Sequence, residues 1–162
     1  MKASHFSLDI KEFIKLLNVH GVRYVIVGGE AVIYYGYARL TGDVDFFYEP
    51  TTANVTCLYN ALLDFWEGKI PGVKCSAELQ SKGTIFQFGV PPNRIDLINS
   101  LDAVSFEEAW ESRKEEKIKI EGKDYKVYYI GLEPLIKNKL AIKRYKDLED
   151  LKYLKEAVKA KK

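Results

Sequence analysis

Three aspartates and a pair of glycines carry the chemistry this sequence can do. Asp43 and Asp45 flank Val44 in the run DVDFFY. The two-residue period of a strand puts both carboxylates on one face and Val44 and Phe46 on the other. Carboxylates about 6–7 Å apart along a strand repel each other unless a cation sits between them. Hard oxygen donors in this number suit Mg²⁺, which takes one or two carboxylates and completes its shell with substrate phosphates. A third carboxylate, Asp96, lies inside the apolar run RIDLIN, where an unpartnered buried charge is costly. If that strand lies beside the first, the three form one cluster able to hold metal and to help deprotonate an attacking hydroxyl. The competing readings are a solvent-facing strand end for Asp43 and Asp45, and an edge-strand Asp96 paired with Arg94 or another neighbour.

Gly28-Gly29 stands where an apolar run hands over to a helix-compatible one. Glycine there allows a tight turn and lets a phosphate approach the backbone N–H groups at the helix start. Two better-known phosphate motifs are excluded: the run GGEAVI breaks G-x-G-x-x-G, and no GxxxxGK[ST] occurs. Arg39 and Thr41, in the loop before Asp43, could orient phosphate oxygens, Arg39 with a bidentate grip. Lys139 falls on the inner stripe defined by Leu132, Leu135, Ile136 and Leu140. It either reaches a phosphate or snorkels past the edge of the core. Tyr34, Tyr35 and Tyr37 offer either a base-stacking face or core aromatics.

The elements that must position these residues follow from periodicity and punctuation. A first helix follows Ser7, with Asp9 in its first turn, and ends over Asn18 to Gly21. Val22 to Val27 reads as a central strand, Glu30 to Tyr37 as a helix, and Asp43 to Tyr48 as the next strand. Thr51 or Thr52 caps a long helix reaching about Trp66, followed by a loop from Gly68 to Gly72. Thr84 to Val90 and Arg94 to Asn99 are strands, joined by Pro91-Pro92-Asn93. Phe106 to Ser112 is a short helix, and Lys117 to Ile120 with Tyr125 to Ile130 form a hairpin. Two helices, from about Glu133 to Arg144 and from Asp147 to Val158, finish the chain. The fold class is α/β or α+β, a mixed sheet flanked by helices. The 162 residues form one domain, with a core over about 22–130 and a C-terminal helical segment over about 132–160.

Composition narrows the class further. The formal charge is +2, but from Lys137 to Lys162 ten Lys or Arg stand against four Asp or Glu. That basic end either steers phosphates or is simply a solvated helix face. His5 and His20 lie in no zinc-ligand spacing with the two cysteines, Cys57 and Cys75. No secretory leader and no long apolar span is evident, so the expected location is the cytoplasm, with free thiols and no membrane association.

The stretch VIVGGEAVIYYGYARLTGDVDFF, with Asp96 downstream, resembles the signature of the polymerase-β-type nucleotidyltransferase superfamily. Thirteen residues separate Gly29 from Asp43, a spacing that superfamily uses. Gly36, Arg39 and Thr41, and the C-terminal NKLAIKRYKDLEDL with Lys139, Asp147 and Asp150, further resemble its abortive-infection branch, the type IV toxin (AbiEii-like) and related uncharacterised nucleotidyltransferases. The resemblance implies a nucleotidyltransferase-like mixed sheet and transfer of a nucleoside monophosphate from an NTP through two Mg²⁺ (or Mn²⁺) ions. It also implies an RNA, protein or small-molecule acceptor and an antitoxin-like protein partner. Carried over, Gly28 and Gly29 would hold the triphosphate, Asp43 and Asp45 would bind metal, and Asp96 would serve the second metal and the nucleophile. Lys139 would contact phosphates. The chain departs from the pattern at two points. Gly29 replaces the usual serine, and Glu30 sets a negative charge near the expected triphosphate. A G-S-x-A-R-G motif is absent. The departures keep open a second reading, a catalytically inactive binding or regulatory module on the same fold.

Overall fold

The computed structural model describes residues 5–37 and 41–160. In chain order the elements are α1 (Leu8–Val19), β1 (Tyr24–Val27), α2 (Gly28–Tyr34), β2 (Asp43–Tyr48), α3 (Thr52–Phe65), a 3-10 turn (Ser76–Gln80) and β3 (Phe86–Phe88). There follow β4 (Arg94–Ile98), α4 (Phe106–Glu111), β5 (Lys114–Ile120), β6 (Lys123–Tyr129), α5 (Leu132–Ile142) and α6 (Tyr145–Ala160). The strands make one mixed sheet in the order β3-β4-β2-β1-β6-β5, flanked by helices as the sequence indicates.

Alternation along the central strands divides the core into two layers. Tyr24, Ile26, Val44, Phe46, Tyr48, Ile95 and Leu97 face α1 and α3, where Phe13, Leu17, Leu58 and Leu62 cover them. Val25, Val27 and Phe47 face the other way, onto Ala31 and Val32 of α2, Phe106 of α4, Leu135 of α5 and Leu154 of α6. Each buried Val, Leu, Ile or Phe among them contributes roughly 2 kcal/mol by the apolar area it removes from water. Ser7 starts α1 by accepting the Ile10 N–H on its hydroxyl at 3.3 Å, and Thr51 does the same for Asn54 at the start of α3.

Register fixes which residues meet. β2 runs parallel to β4 with Asp45 opposite Asp96 and Asp43 opposite Arg94. β1 is antiparallel to β2 with Val27 opposite Asp45, and β3 is antiparallel to β4 with Gln87 opposite Asp96. Because Val44, Phe46, Ile95 and Leu97 belong to the α1–α3 layer, Asp43, Asp45, Arg94 and Asp96 all belong to the opposite face.

Element boundaries differ from the sequence reading in a few places, each for a local reason. β1 starts at Tyr24 because the Arg23 N–H is donated to the Asn54 side chain at 2.7 Å. α2 stops at Tyr34, since Gly36 takes a φ of 111° that no helix continues through. β3 keeps three residues, ending before Gly89 at φ 78°. β5 starts three residues early: the charged run KEEK is drawn into a ladder that pairs Lys114 with Tyr129 and Glu116 with Val127. The 3-10 turn at Ser76–Gln80 has no periodic signal in the sequence.

Candidate active site

At the end of the face shared by β2 and β4, the Asp43, Asp45 and Asp96 carboxylates converge, each offering an oxygen within 4.8 Å of the others. The adjacent strands and their register produce this cluster directly. Gly28 closes it from the β1 side. Its φ is +67°, and a Cβ on it would run into the Asp45 carboxylate. Glycine is therefore required there twice over, by backbone conformation and by space. No side chain caps the start of α2, and Gly28 and Gly29 both line the cleft beside the carboxylates.

The electrostatics of three crowded carboxylates follow from their surroundings. Burial pushes Asp45 up to about 7, reinforced by the charges of Asp43 and Asp96. Asp96 is also raised, first by burial and then by its hydrogen bond with Asp43, against the pull of Arg94. Asp43 moves the other way: burial opposes its ionisation, but hydrogen bonds with Asp96 and Arg94 outweigh that and hold it below the ordinary carboxylate range. Three hard oxygen donors with this much mutual repulsion fit a divalent cation. Arg94 is salt-bridged into the cluster, its Nη2 2.6 Å from Asp43 Oδ2 and its Nε 3.0 Å from Asp96 Oδ1. Gln87 donates to Asp96 Oδ2 at 3.3 Å, and Thr41 Oγ1 donates to Asp43 Oδ1 at 3.3 Å.

These groups line a cleft of about 310 Å³ together with Gly28, Gly29, Ile85, Lys139, Arg144 and Lys146. Larger hollows of about 500 Å³ lie along α4 and the start of α5, lined by residues such as Glu111, Pro134 and Val158. Several glutamates line them, but among the described residues only the three aspartates bring such oxygens together, so the chemistry points to the smaller cleft.

Lys139 reaches this cleft but is committed elsewhere. It is 2% exposed, and its Nζ lies 2.9 Å from Asp147 Oδ1 and 3.2 Å from Asp150 Oδ2. Asp147 also takes Arg144 Nε at 2.7 Å. Burial works to raise Asp147, but its hydrogen bonds with Arg144 and Lys139 prevail and keep it low. Arg144 and Lys146 fall within the C-terminal run NKLAIKRYKDLEDL, but the sequence assigns neither of them a role. Their signal is the basic pair on either side of Tyr145, just ahead of Asp147.

Glu30 does not line the cleft: it is 6% exposed and meets His5 Nε2 at 2.6 Å. None of Tyr34, Tyr35 and Tyr37 lines the cleft. Tyr34 stacks on Tyr129 at 4.1 Å and donates to Glu116, the Tyr35 hydroxyl donates to the Ile130 carbonyl, and Tyr37 stacks on Tyr153 at 3.7 Å. Arg39 lies outside the described residues. Among the described residues, no helix is long and apolar enough to cross a membrane.

A family model described as a nucleotidyltransferase of unknown function (DUF6036) matches residues 7–158. No curated protein matches the chain.

Proposed function

The chain belongs to this nucleotidyltransferase family, and on that premise we propose that it moves a nucleoside monophosphate from an NTP to an acceptor hydroxyl or phosphate. The observation that supports this most is the convergence of Asp43, Asp45 and Asp96 beside the Gly28-Gly29 turn. In this reading Asp43, Asp45 and Asp96 hold Mg²⁺ (or Mn²⁺), and the turn N–H groups with Arg144 and Lys146 bind the triphosphate. When bound, the cation offsets phosphate charge and makes the α-phosphorus more electrophilic. The acceptor oxygen approaches from the β3 side, past Ile85 and Gln87. It forms a bond to the α-phosphorus while the bond from that phosphorus to the α,β-bridging oxygen breaks. Pyrophosphate leaves, and the acceptor proton passes to an Asp96 carboxylate oxygen.

The same proposal takes the chain as one folding unit acting in the cytoplasm, within the AbiEii-like branch and alongside an antitoxin-like partner. The joining of Lys139, Asp147 and Asp150 in one ion-pair network supports the branch assignment. RNA is the favoured acceptor, on the strength of the basic residues of α5 and α6.

Thermal unfolding with each NTP, with and without Mg²⁺ or Mn²⁺, tests the donor site without knowledge of the acceptor. A ligand at 100 times its Kd stabilises the folded state by about 2.7 kcal/mol. The expected result is a metal-dependent shift with one NTP that Asp43→Asn abolishes. No shift with any NTP would replace the proposal with a non-catalytic binding module.

A further inference from the structure

Arg94 makes contacts that ordinary support of a catalytic carboxylate does not require. One donor, Nη2, is 2.6 Å from Asp43 Oδ2 and 3.2 Å from Asp96 Oδ2, while Nε is 3.0 Å from Asp96 Oδ1. A single guanidinium thus spans carboxylates on two different strands, using oxygens that a divalent cation would need. With Thr41 on Asp43 Oδ1 and Gln87 on Asp96 Oδ2, every oxygen of Asp43 and Asp96 already accepts a hydrogen bond. Arg94 is opposite Asp43 in the ladder and two residues from Asp96 on its own strand, so the backbone fixes its Cα at the cluster. Its side chain is 32% exposed, which leaves a route into the cleft.

We propose that Arg94 is an exchangeable counter-cation: it neutralises the Asp43–Asp96 pair until a divalent metal takes the same oxygens, and it then turns toward the phosphates of the NTP. This rests on the metal–NTP reading of the cleft and adds to it a competitor for the metal that the protein itself supplies. Three carboxylates and no countercharge would be a repulsive, poorly ordered cluster. A guanidinium there keeps the strand ends together at the expense of metal affinity. It has a single positive charge and planar donors, so Mg²⁺ or Mn²⁺ arriving with a triphosphate outcompetes it. The displaced guanidinium then gains phosphate oxygens as acceptors, which couples metal binding to NTP binding.

The test is direct Mn²⁺ binding, followed by electron paramagnetic resonance and calorimetry, for wild type, Arg94→Gln, Arg94→Lys and Asp43→Asn. The competitor's removal is expected to tighten Mn²⁺ binding to Arg94→Gln by about tenfold without nucleotide. Arg94→Lys, with a point charge in place of the fork, is expected to fall between. Adding a non-hydrolysable NTP should tighten Mn²⁺ binding more in wild type than in Arg94→Gln. Unchanged or weaker Mn²⁺ binding to both Arg94 variants, with wild type still binding, would overturn the exchange and leave the metal–NTP site standing. If no variant binds Mn²⁺ with or without nucleotide, the metal reading and the exchange fall together. Should Arg94→Gln unfold without metal, Arg94→Lys alone decides: tighter binding than wild type supports the exchange, and anything else overturns it.

Discussion

Asp45 is the residue on which burial, charge and backbone geometry act most strongly together. Burial and two neighbouring aspartates raise it to about 7 in the metal-free protein, well above an unfolded chain's carboxyl. Its proton therefore favours folding fully below the ordinary carboxylate range, and this contribution is lost as pH rises through about 7. Asp45→Asn has no such proton to lose. In chelator its stability should gain on wild type between pH 5 and pH 8, by on the order of 2 kcal/mol. Denaturant melts across that range would show it, and a loss relative to wild type would rule out burial and carboxylate repulsion as the cause. Gly28→Ala is the complementary case. The φ of +67° and the collision with the Asp45 carboxylate should together cost about 2–4 kcal/mol and remove any metal–NTP stabilisation. A variant as stable as wild type would show that β1 and β2 can part at this point.

At the scale of elements, the C-terminal helices act on the site through a buried ion-pair network. Lys139 on α5 holds Asp147 and Asp150 on α6, and Asp147 in turn holds Arg144 at the cleft. Removing one partner of a buried pair strands the other, at about 3–5 kcal/mol. Lys139→Met should therefore lower Tm by roughly 6–20 °C. A Lys139 that served only a phosphate would instead leave Tm unchanged and weaken NTP binding, and the two measurements separate these roles. This division is only half legible in the sequence. Apolar spacing puts Lys139 on the inner stripe of α5, but its partners lie beyond a turn at Lys143, whose φ of 58° reverses the chain. Sequence spacing does not report which carboxylates a reversal brings back. Strand alternation, in contrast, sorts Asp43 and Asp45 from Val44 and Phe46 correctly, because period two is a local property. The meeting of Asp96 with Asp45 needs the order and direction of β2 and β4, which are non-local. From the sequence, Arg94 is no more than a simple partner for Asp96. Its bridge to Asp43 depends on the same parallel register.

For the whole molecule, the proposed reaction assigns its two substrates to opposite sides of one cleft. In that proposal the donor side is the Gly28-Gly29 turn together with the α5–α6 region. The acceptor side of that reaction lies at the sheet edge, where β3 is three residues long and Ile85 and Val90 are 58% and 73% exposed. Replacing both by serine should change stability by less than about 0.5 kcal/mol each. The stabilisation by NTP and metal should persist, while transfer to the acceptor weakens through KM. Loss of the NTP-dependent stabilisation in that double variant would show that the two sides are not separate. The short β3 edge has a consequence for descent as well as for chemistry. In the proposed reaction the segment that meets the acceptor is a small, surface-lying piece of chain just ahead of Arg94, far in sequence from the Gly28-Gly29 turn and from Arg144. Drift at its exposed positions, with Gln87 kept on Asp96, would retarget such an enzyme while its fuel stays the same, so relatives with one donor site and many different targets are what this architecture would leave behind.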